Sequence, residues 1–89
     1  MILEKLSDYF SNWDPMGFIV EGAPGSEYEP EAVEIIKRFN SNMSKDELSK
    51  LVYDIFVDFF EINPDNFKDE CFERALSIRN ILDEGSRKV

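Results

Sequence analysis

Apolar residues recur at helical spacing in four separate stretches of the chain. In the first stretch they follow one another at three- and four-residue intervals, and charged residues occupy the opposite side, which is the pattern of an amphipathic helix. The stripe consists of Ile2, Leu3, Leu6, Tyr9, Phe10 and Trp13. We predict that this first helix ends near Asn12, because the Asp14-Pro15 dipeptide that follows disfavours helical backbone and lacks one N–H.

The second and third stretches carry recognisable start signals. We expect the second helix to begin at Glu29-Pro30, because proline suits the first turn and glutamates complement the positive end of the helix dipole. In the third, Ser44 and Glu47 form a capping box, in which each side chain satisfies a free backbone N–H of the other residue. The widest apolar stripe of the chain follows this box, so we expect the third helix to be central and to end at Asn63-Pro64. The stripe consists of Leu48, Leu51, Val52, Ile55, Phe56, Phe59 and Ile62.

A fourth helix is predicted after a short turn at residues 64–66. Its apolar members are Phe67, Cys71, Phe72, Ala75, Ile78, Ile81 and Leu82. Gly85 is expected to end it. The chain is therefore predicted to be all-α, a single small domain of about four helices over residues 1–85, with a frayed tail at 86–89.

The stretch from Trp13 to Tyr28, WDPMGFIVEGAPGSEY, follows neither a helical nor a strand period. Asp14 suits the N-cap of a short turn from Pro15 to Phe18 that Gly17 would close. The stretch contains too many apolar side chains to lie free in water. We therefore predict a long structured loop between helices 1 and 2 whose side chains pack back on the helices.

The composition limits the chemistry. Eighty-nine residues with 43% apolar content fit one domain with a radius of gyration of about 12 Å. No stretch is apolar enough to cross a membrane or to resemble a signal peptide, so a cytoplasmic protein without membrane contact is expected. The single Cys71 is expected to be a buried apolar residue, and the absence of histidine removes Ser-His and Cys-His catalytic pairs. No cofactor is predicted.

Acidic residues outnumber basic ones by 19 to 10, which gives a net charge of −9. Residues 1–34 carry eight acids and one base, and residues 35–89 carry eleven acids and nine bases. Because backbone phosphates are bound by clustered lysine and arginine, nucleic acid is an unfavourable partner. The asymmetry instead favours a basic protein partner near the loop.

Two kinds of carboxylate site were considered. The acids around residues 63–74 do not form a calcium loop, because Lys68 and Arg74 replace the required glycine and bidentate glutamate. The glutamates from 27 to 34 are better explained as a solvated face that complements the helix dipole than as a cation site. Asp14 with Glu27 or Glu29 is the pair nominated for acid-base catalysis, although a capping role is the stronger interpretation of Asp14.

Aromatic and acidic residues near the loop are the candidate partner contacts. They are Trp13, Asp14, Glu21, Glu27, Tyr28, Glu31 and Phe60. Trp13 and Tyr28 are residue types common in interfaces, but a core or loop-clamping role is favoured for both. Phe60 lies off the main stripe of its helix and is expected to be partly exposed against a partner or a second subunit.

Several short elements resemble the YugE-like family of small bacterial proteins of unknown function. These elements are WDPMGF at 13–18, AP at 23–24, EYEPEA at 27–32, and the IF and FF pairs at 55–56 and 59–60. The resemblance implies an all-α fold and no established activity, cofactor or binding residue. The WDPxG pattern also recurs in small proteins grouped with toxin-immunity candidates.

These observations lead to a principal hypothesis and its alternatives. The principal one is a non-catalytic protein-interaction module whose acidic surface meets an unidentified basic partner. A narrower form is an immunity-type inhibitor of a basic toxin such as a nuclease. The alternatives are a small carboxylate-dependent enzyme or ligand binder using Asp14 and Glu27, and a homodimer that buries Phe60.

Overall fold

Four α-helices make up most of the residues that the computed structural model describes, namely 2–17, 22, 27–61 and 65–86. The helices are α1 (Ile2–Trp13), α2 (Glu29–Arg38), α3 (Lys45–Phe60) and α4 (Phe67–Ser86). None of the described residues forms a β-strand. The all-α prediction is therefore confirmed. Most of the loop predicted between helices 1 and 2, at 18–21 and 23–26, lies outside the described residues, as do residues 87–89 of the tail predicted at 86–89. The fourth helix was expected to end at Gly85, but α4 continues to Ser86.

The start of α3 confirms the predicted capping box. The Glu47 amide donates to Ser44 Oγ at 3.1 Å, and the Ser44 amide donates to Glu47 Oε1 at 2.9 Å. The helix ends slightly earlier than predicted, because Glu61 adopts a left-handed conformation with φ 55° while its amide donates to the Val57 carbonyl. Ile62, which was assigned to the helix, lies outside the described residues.

The end of α1 also follows the predicted stop signal. The Asp14 amide donates to the Phe10 carbonyl at 2.7 Å, and Asp14 itself has a φ of 50°, which ends the helix. A turn at residues 14–17 follows, in which the Gly17 amide donates to the Asp14 carbonyl at 3.1 Å. Gly17 has a φ of 76°, a conformation that glycine adopts without steric cost. Phe18, the last residue of the predicted turn, lies outside the described residues.

The helices form a ring in which α1 and α3 each pack against both α2 and α4. Three side-chain contacts show that α1 and α4 run antiparallel: Lys5 pairs with Glu84, Tyr9 with Arg74, and Trp13 with Glu70. The radius of gyration is 12.3 Å, in agreement with the value expected for one domain of this length. None of the described helices is long and apolar enough to span a membrane.

The aromatic core is centred on Phe56 of α3, which is completely buried. Its ring lies 5.0 Å from that of Phe10 in an edge-to-face arrangement. It lies 5.7 to 6.2 Å from four further rings, those of Trp13, Tyr28, Phe60 and Phe67. These aromatic side chains come from α1, α3, α4 and the residue before α2. The Phe56 side chain therefore contacts residues from all four parts of the helical arrangement.

Cys71 of α4 is fully buried, as predicted. Burial, and secondarily the charge of Glu70, raises the pKa of its thiol to about 12. A thiol with this pKa stays protonated at neutral pH, so it behaves as a small apolar side chain.

The last turn of α3 corrects the assignment of Phe59. It was placed on the core stripe but is 47% exposed, whereas Phe60, expected off the main stripe and partly exposed, is half-buried. Phe60 packs its ring 5.9 Å from both Tyr28 and Phe56. Phe59 lies beside the first turn of α2, where the exposed Glu29 and Pro30 leave its ring about half uncovered.

Candidate functional site

The two ends of the predicted loop are joined by the side chain of Tyr28. Its hydroxyl donates to the Asp14 carboxylate at 2.6 Å and accepts from the Met16 amide at 3.2 Å. The Tyr28 ring is fully buried and stacks on Phe56 with ring centroids 5.8 Å apart. Tyr28 therefore connects the turn after α1 to the start of α2 and to the core. The loop-clamping interpretation of Tyr28 agrees with this geometry.

Asp14 has a tertiary role in addition to its place in a local turn. The sequence predicts an N-cap function for it, which uses only nearby backbone amides. In the structure its carboxylate accepts from a hydroxyl fourteen residues away. Any acid-base use of Asp14 would have to break or share this charge-assisted hydrogen bond, so the geometry favours a structural role.

Trp13 is fixed between α1 and α4. Its indole N–H donates to Glu70 Oε1 at 2.8 Å, and its ring stacks on Phe67 at 5.7 Å. The guanidinium of Arg74 lies 4.7 Å from the ring centroid, a cation–π geometry. The Trp13 side chain therefore joins α1 to α4, and little of it is available to a partner.

Glu31 departs most from expectation. We predicted a solvated glutamate face at the start of the second helix, but Glu31 is only 3% exposed, so that prediction is wrong for this residue. Its Oε1 is buried and finds no hydrogen-bond partner within the part of the chain that the structure describes. Burial raises the pKa of the Glu31 carboxyl; the backbone hydrogen bond opposes this, and Glu27 adds to it.

The other glutamates near α2 are more accessible. Glu29 is exposed, while Glu27 and Glu34 are partly exposed. Glu21 lies outside the described residues, so its role as a contact stays a prediction. Among the described residues, no group of three or more histidine, cysteine, aspartate or glutamate side chains is arranged to hold a metal ion.

Seven residues were predicted to contact a partner, and three of them are aromatic. The structure shows these three side chains, Trp13, Tyr28 and Phe60, packed against other helices. Tyr28 belongs to the core, Phe60 packs against it, and Trp13 is held against α4. Phe60 is half-buried, in agreement with the partial exposure expected of it, and the covered part of its ring contacts Tyr28 and Phe56. Phe60 is therefore a poor anchor for the proposed homodimer.

Phe59 and Phe72 were both placed with the apolar residues of their helices, but they are 47% and 43% exposed. Phe59 lies nearest to the acidic start of α2. Its ring separates two hollows, one lined by residues of α2 and the other lined mainly by residues of α3. We call the surface formed by Glu29, Glu34, Asp58 and Phe59 the Phe59 face. The available signal was local: Phe59 lies in the last turn of its helix and directly follows the acidic Asp58. Position within an apolar stripe does not guarantee burial where the neighbouring helix begins.

A scan against models of protein families, a search of curated proteins and a search of solved structures each gave no match to this chain.

Proposed function

We propose that this chain is a non-catalytic protein-interaction module that binds a basic protein through the Phe59 face. The observation that carries the proposal is the half-exposed ring of Phe59 between two hollows, with acidic side chains on both sides. Phenylalanine is enriched at protein interfaces, where it supplies apolar area to the centre of a contact. Complete burial of such a side chain is worth about 1.5–3 kcal/mol, so covering the exposed half supplies ~1 kcal/mol.

The charges of the Phe59 face define the chemistry of the partner. Glu29 and Glu34 lie on the α2 side of the ring, and Asp58 lies on the α3 side. Arg38 pairs with Glu34 at 3.2 Å and offsets part of this charge. The remaining potential is negative, as is the chain as a whole, at −9. Such a field raises the rate of association with a basic surface and disfavours acidic partners. Its effect on rate and specificity is larger than its effect on affinity.

The proposal moves the contact surface away from the loop. Trp13, Asp14 and Tyr28 already make internal hydrogen bonds, and a partner would gain access to them only by displacing those bonds. Glu27 is partly exposed and remains a candidate contact at the border of the surface. The Phe59 face needs no rearrangement before it can be covered.

A narrower form of the proposal is an immunity-type inhibitor of a basic toxin within the YugE-like family, in the cytoplasm of a bacterium. It is supported by the WDPMGF resemblance and by the acidic field. Co-expression with a candidate toxin tests it, because the chain should restore growth and its Phe59→Ser variant should not. A carboxylate-dependent enzyme stays an alternative prediction, since most of the loop it requires lies outside the described residues.

The proposal is tested by measuring the affinity of a purified partner. The tagged chain would be used to capture proteins from cell extract, and captured proteins would be purified and titrated against defined variants. Phe59→Ser should weaken binding about fivefold, which corresponds to the ~1 kcal/mol of the covered ring, and Asp58→Lys should weaken it to a similar extent because it reverses a charge of the face.

Matched controls separate this face from the rest of the surface. Leu76→Ser changes an apolar side chain of α4 that is 55% exposed, and Asp8→Lys reverses an exposed charge on α1. Both controls should bind like the wild type. Equal affinity of Phe59→Ser and wild type for every purified partner would contradict the proposal.

A further inference from the structure

We propose that the partner element recognised by this module is an extended peptide segment that crosses α3 from the Phe59 face to the groove between α3 and α4. This inference rests on the proposed function and adds the conformation and course of the bound segment. It is carried by three hollows that share lining residues, by the charges along them and by their spacing.

The hollows adjoin because they share lining residues. Phe59 lines both the hollow beside α2 and the hollow on α3. Tyr53 and Asp54 line both the hollow on α3 and the groove between α3 and α4. A chain that leaves the Phe59 face passes the hollow lined by Arg38 and Asp58 and then crosses Tyr53 and Asp54 to enter the α3–α4 groove.

The α3–α4 groove is suited to an apolar side chain with polar surroundings. It encloses about 550 Å³ and has Tyr53 and Phe72 among its walls. Phe72 is 43% exposed, and the ammonium of Lys45 lies 4.1 Å from its ring centroid. Polar groups also line the groove, and they could satisfy the backbone of a bound chain. They are Asp46, Ser49, Lys50, Asp54, Lys68 and Asp69.

The charges change along this course, which orients the segment. The α2 end has Glu29 and Glu34 beside Phe59. The α4 end carries both positive and negative charges, because Lys50 and Lys68 lie among three aspartates. The Lys50 ammonium is 3.9 Å from the Asp54 carboxylate. The segment should therefore carry its lysine or arginine residues at the α2 end and an apolar side chain at the α4 end.

The spacing favours an extended chain over a helix. Packed helices lie about 8–10 Å apart, and the α3 residues that line the groove precede Phe59 by roughly 8–20 Å along the helix axis, so the course is oblique and spans ~20 Å. An extended chain covers that distance with about six or seven residues at ~3.3 Å each, and places side chains in neighbouring hollows at intervals of about three residues. A helix lying along one groove would reach only that groove.

Selection from a displayed library of random decapeptides on the immobilised full-length chain tests this inference. Enriched peptides should carry at least two lysines or arginines near one end and two apolar residues about three positions apart. Synthetic copies should lose at least fivefold in affinity with Phe59→Ser and with Phe72→Ser, and nothing with Leu76→Ser. Amide shift mapping on the wild-type chain, which needs no variant, should show changes at Phe59, Tyr53 and Phe72 together.

The outcomes separate the inference from the proposed function. If no peptide is enriched, or if peptide binding is insensitive to Phe72→Ser and the shifts stay on the Phe59 face, the extended course is wrong. The proposed function then stands only if the purified partner still loses affinity with Phe59→Ser. If neither peptides nor partner respond to Phe59→Ser, both are wrong.

Discussion

The Tyr28 hydroxyl donates a 2.6 Å hydrogen bond to the Asp14 carboxylate, and this bond joins the residue that ends α1 to the residue that precedes α2. The same hydroxyl accepts from the Met16 amide. Two contacts at one buried tyrosine thus hold the turn after α1 against the start of the next helix. The irregular stretch between them is anchored at both ends by a single side chain.

Removing that hydroxyl should destabilise the fold. Tyr28→Phe keeps the ring against Phe56 but removes the donor to Asp14, and hydrogen bonds to charged groups are worth about 1.5–3 kcal/mol. We expect urea unfolding at pH 7 to show a loss of ~2 kcal/mol. Asp14→Asn is the matched variant, because asparagine tolerates the left-handed backbone and can still accept the bond. It should cost less than Tyr28→Phe, and equal costs of the two variants would contradict the account.

The two neighbouring aromatic positions on α3 should respond very differently to truncation. Phe56→Ala removes the ring at the centre of the core and should cost about 3–5 kcal/mol. Phe59→Ala removes a half-exposed ring and should cost ~1 kcal/mol or less. Chemical unfolding of both variants measures the contrast. Similar losses of unfolding free energy in the two variants would show that Phe56 does not lie at the centre of the core.

Glu31 should make stability depend on pH. Its folded pKa is raised by burial above the ordinary value of 4.5, so its contribution to stability is fully present below about 4.5 and is lost as pH rises through the folded pKa. Glu31→Gln removes this titration. The variant should therefore gain stability relative to wild type as pH is raised from 4 to 7, and the two should converge in acid.

The comparison is made by urea unfolding across that pH range, with Glu29→Gln as the control at an exposed position of the same helix turn. Each unit by which folding raises the pKa of Glu31 corresponds to ~1.4 kcal/mol. The extra difference in unfolding free energy between Glu31→Gln and wild type at pH 7, relative to acid, therefore reports the pKa of Glu31 in the folded protein. A constant difference between wild type and Glu31→Gln at every pH would contradict the assignment of a raised pKa.

Trp13 should report on the junction of α1 and α4. Glu70→Gln weakens the acceptor of the indole N–H and should cost about 0.5–1.5 kcal/mol. Because Trp13 is the single tryptophan, the change should also appear as a shift in its fluorescence spectrum. Glu73→Gln, at an exposed position on the same helix, is the control. An unchanged spectrum and stability for Glu70→Gln would argue against the contact.

The helix ends that could be predicted from the sequence are those set by residues close to one another in the chain. Ser44 and Glu47 are three residues apart and satisfy each other, so the start of α3 follows from the sequence alone. Glu29-Pro30 and Asp14-Pro15 likewise mark the start of one helix and the end of another through backbone restrictions that proline imposes. These signals require no knowledge of what the helices pack against.

The surface was predicted less well because burial depends on the neighbouring element. Phe59 and Phe60 are adjacent and chemically identical, but their side chains leave α3 about 100° apart. Phe60 therefore packs on Tyr28 and Phe56, while Phe59 lies beside the first turn of α2 with its ring half exposed. Glu31 has the sequence context of a solvated helix start, yet tertiary packing covers it. The hydroxyl contact of Tyr28 with Asp14 joins residues fourteen positions apart, which no local rule specifies.

The affinity of a purified partner for wild type, Phe59→Ser and Leu76→Ser tests the central claim most directly. Both substitutions remove an exposed apolar side chain, but only Phe59 lies among the acids of the Phe59 face. We expect Phe59→Ser to raise the Kd about fivefold and Leu76→Ser to leave it unchanged, with both variants folded. Equal Kd values for wild type and Phe59→Ser, or a larger loss with Leu76→Ser, would contradict the account.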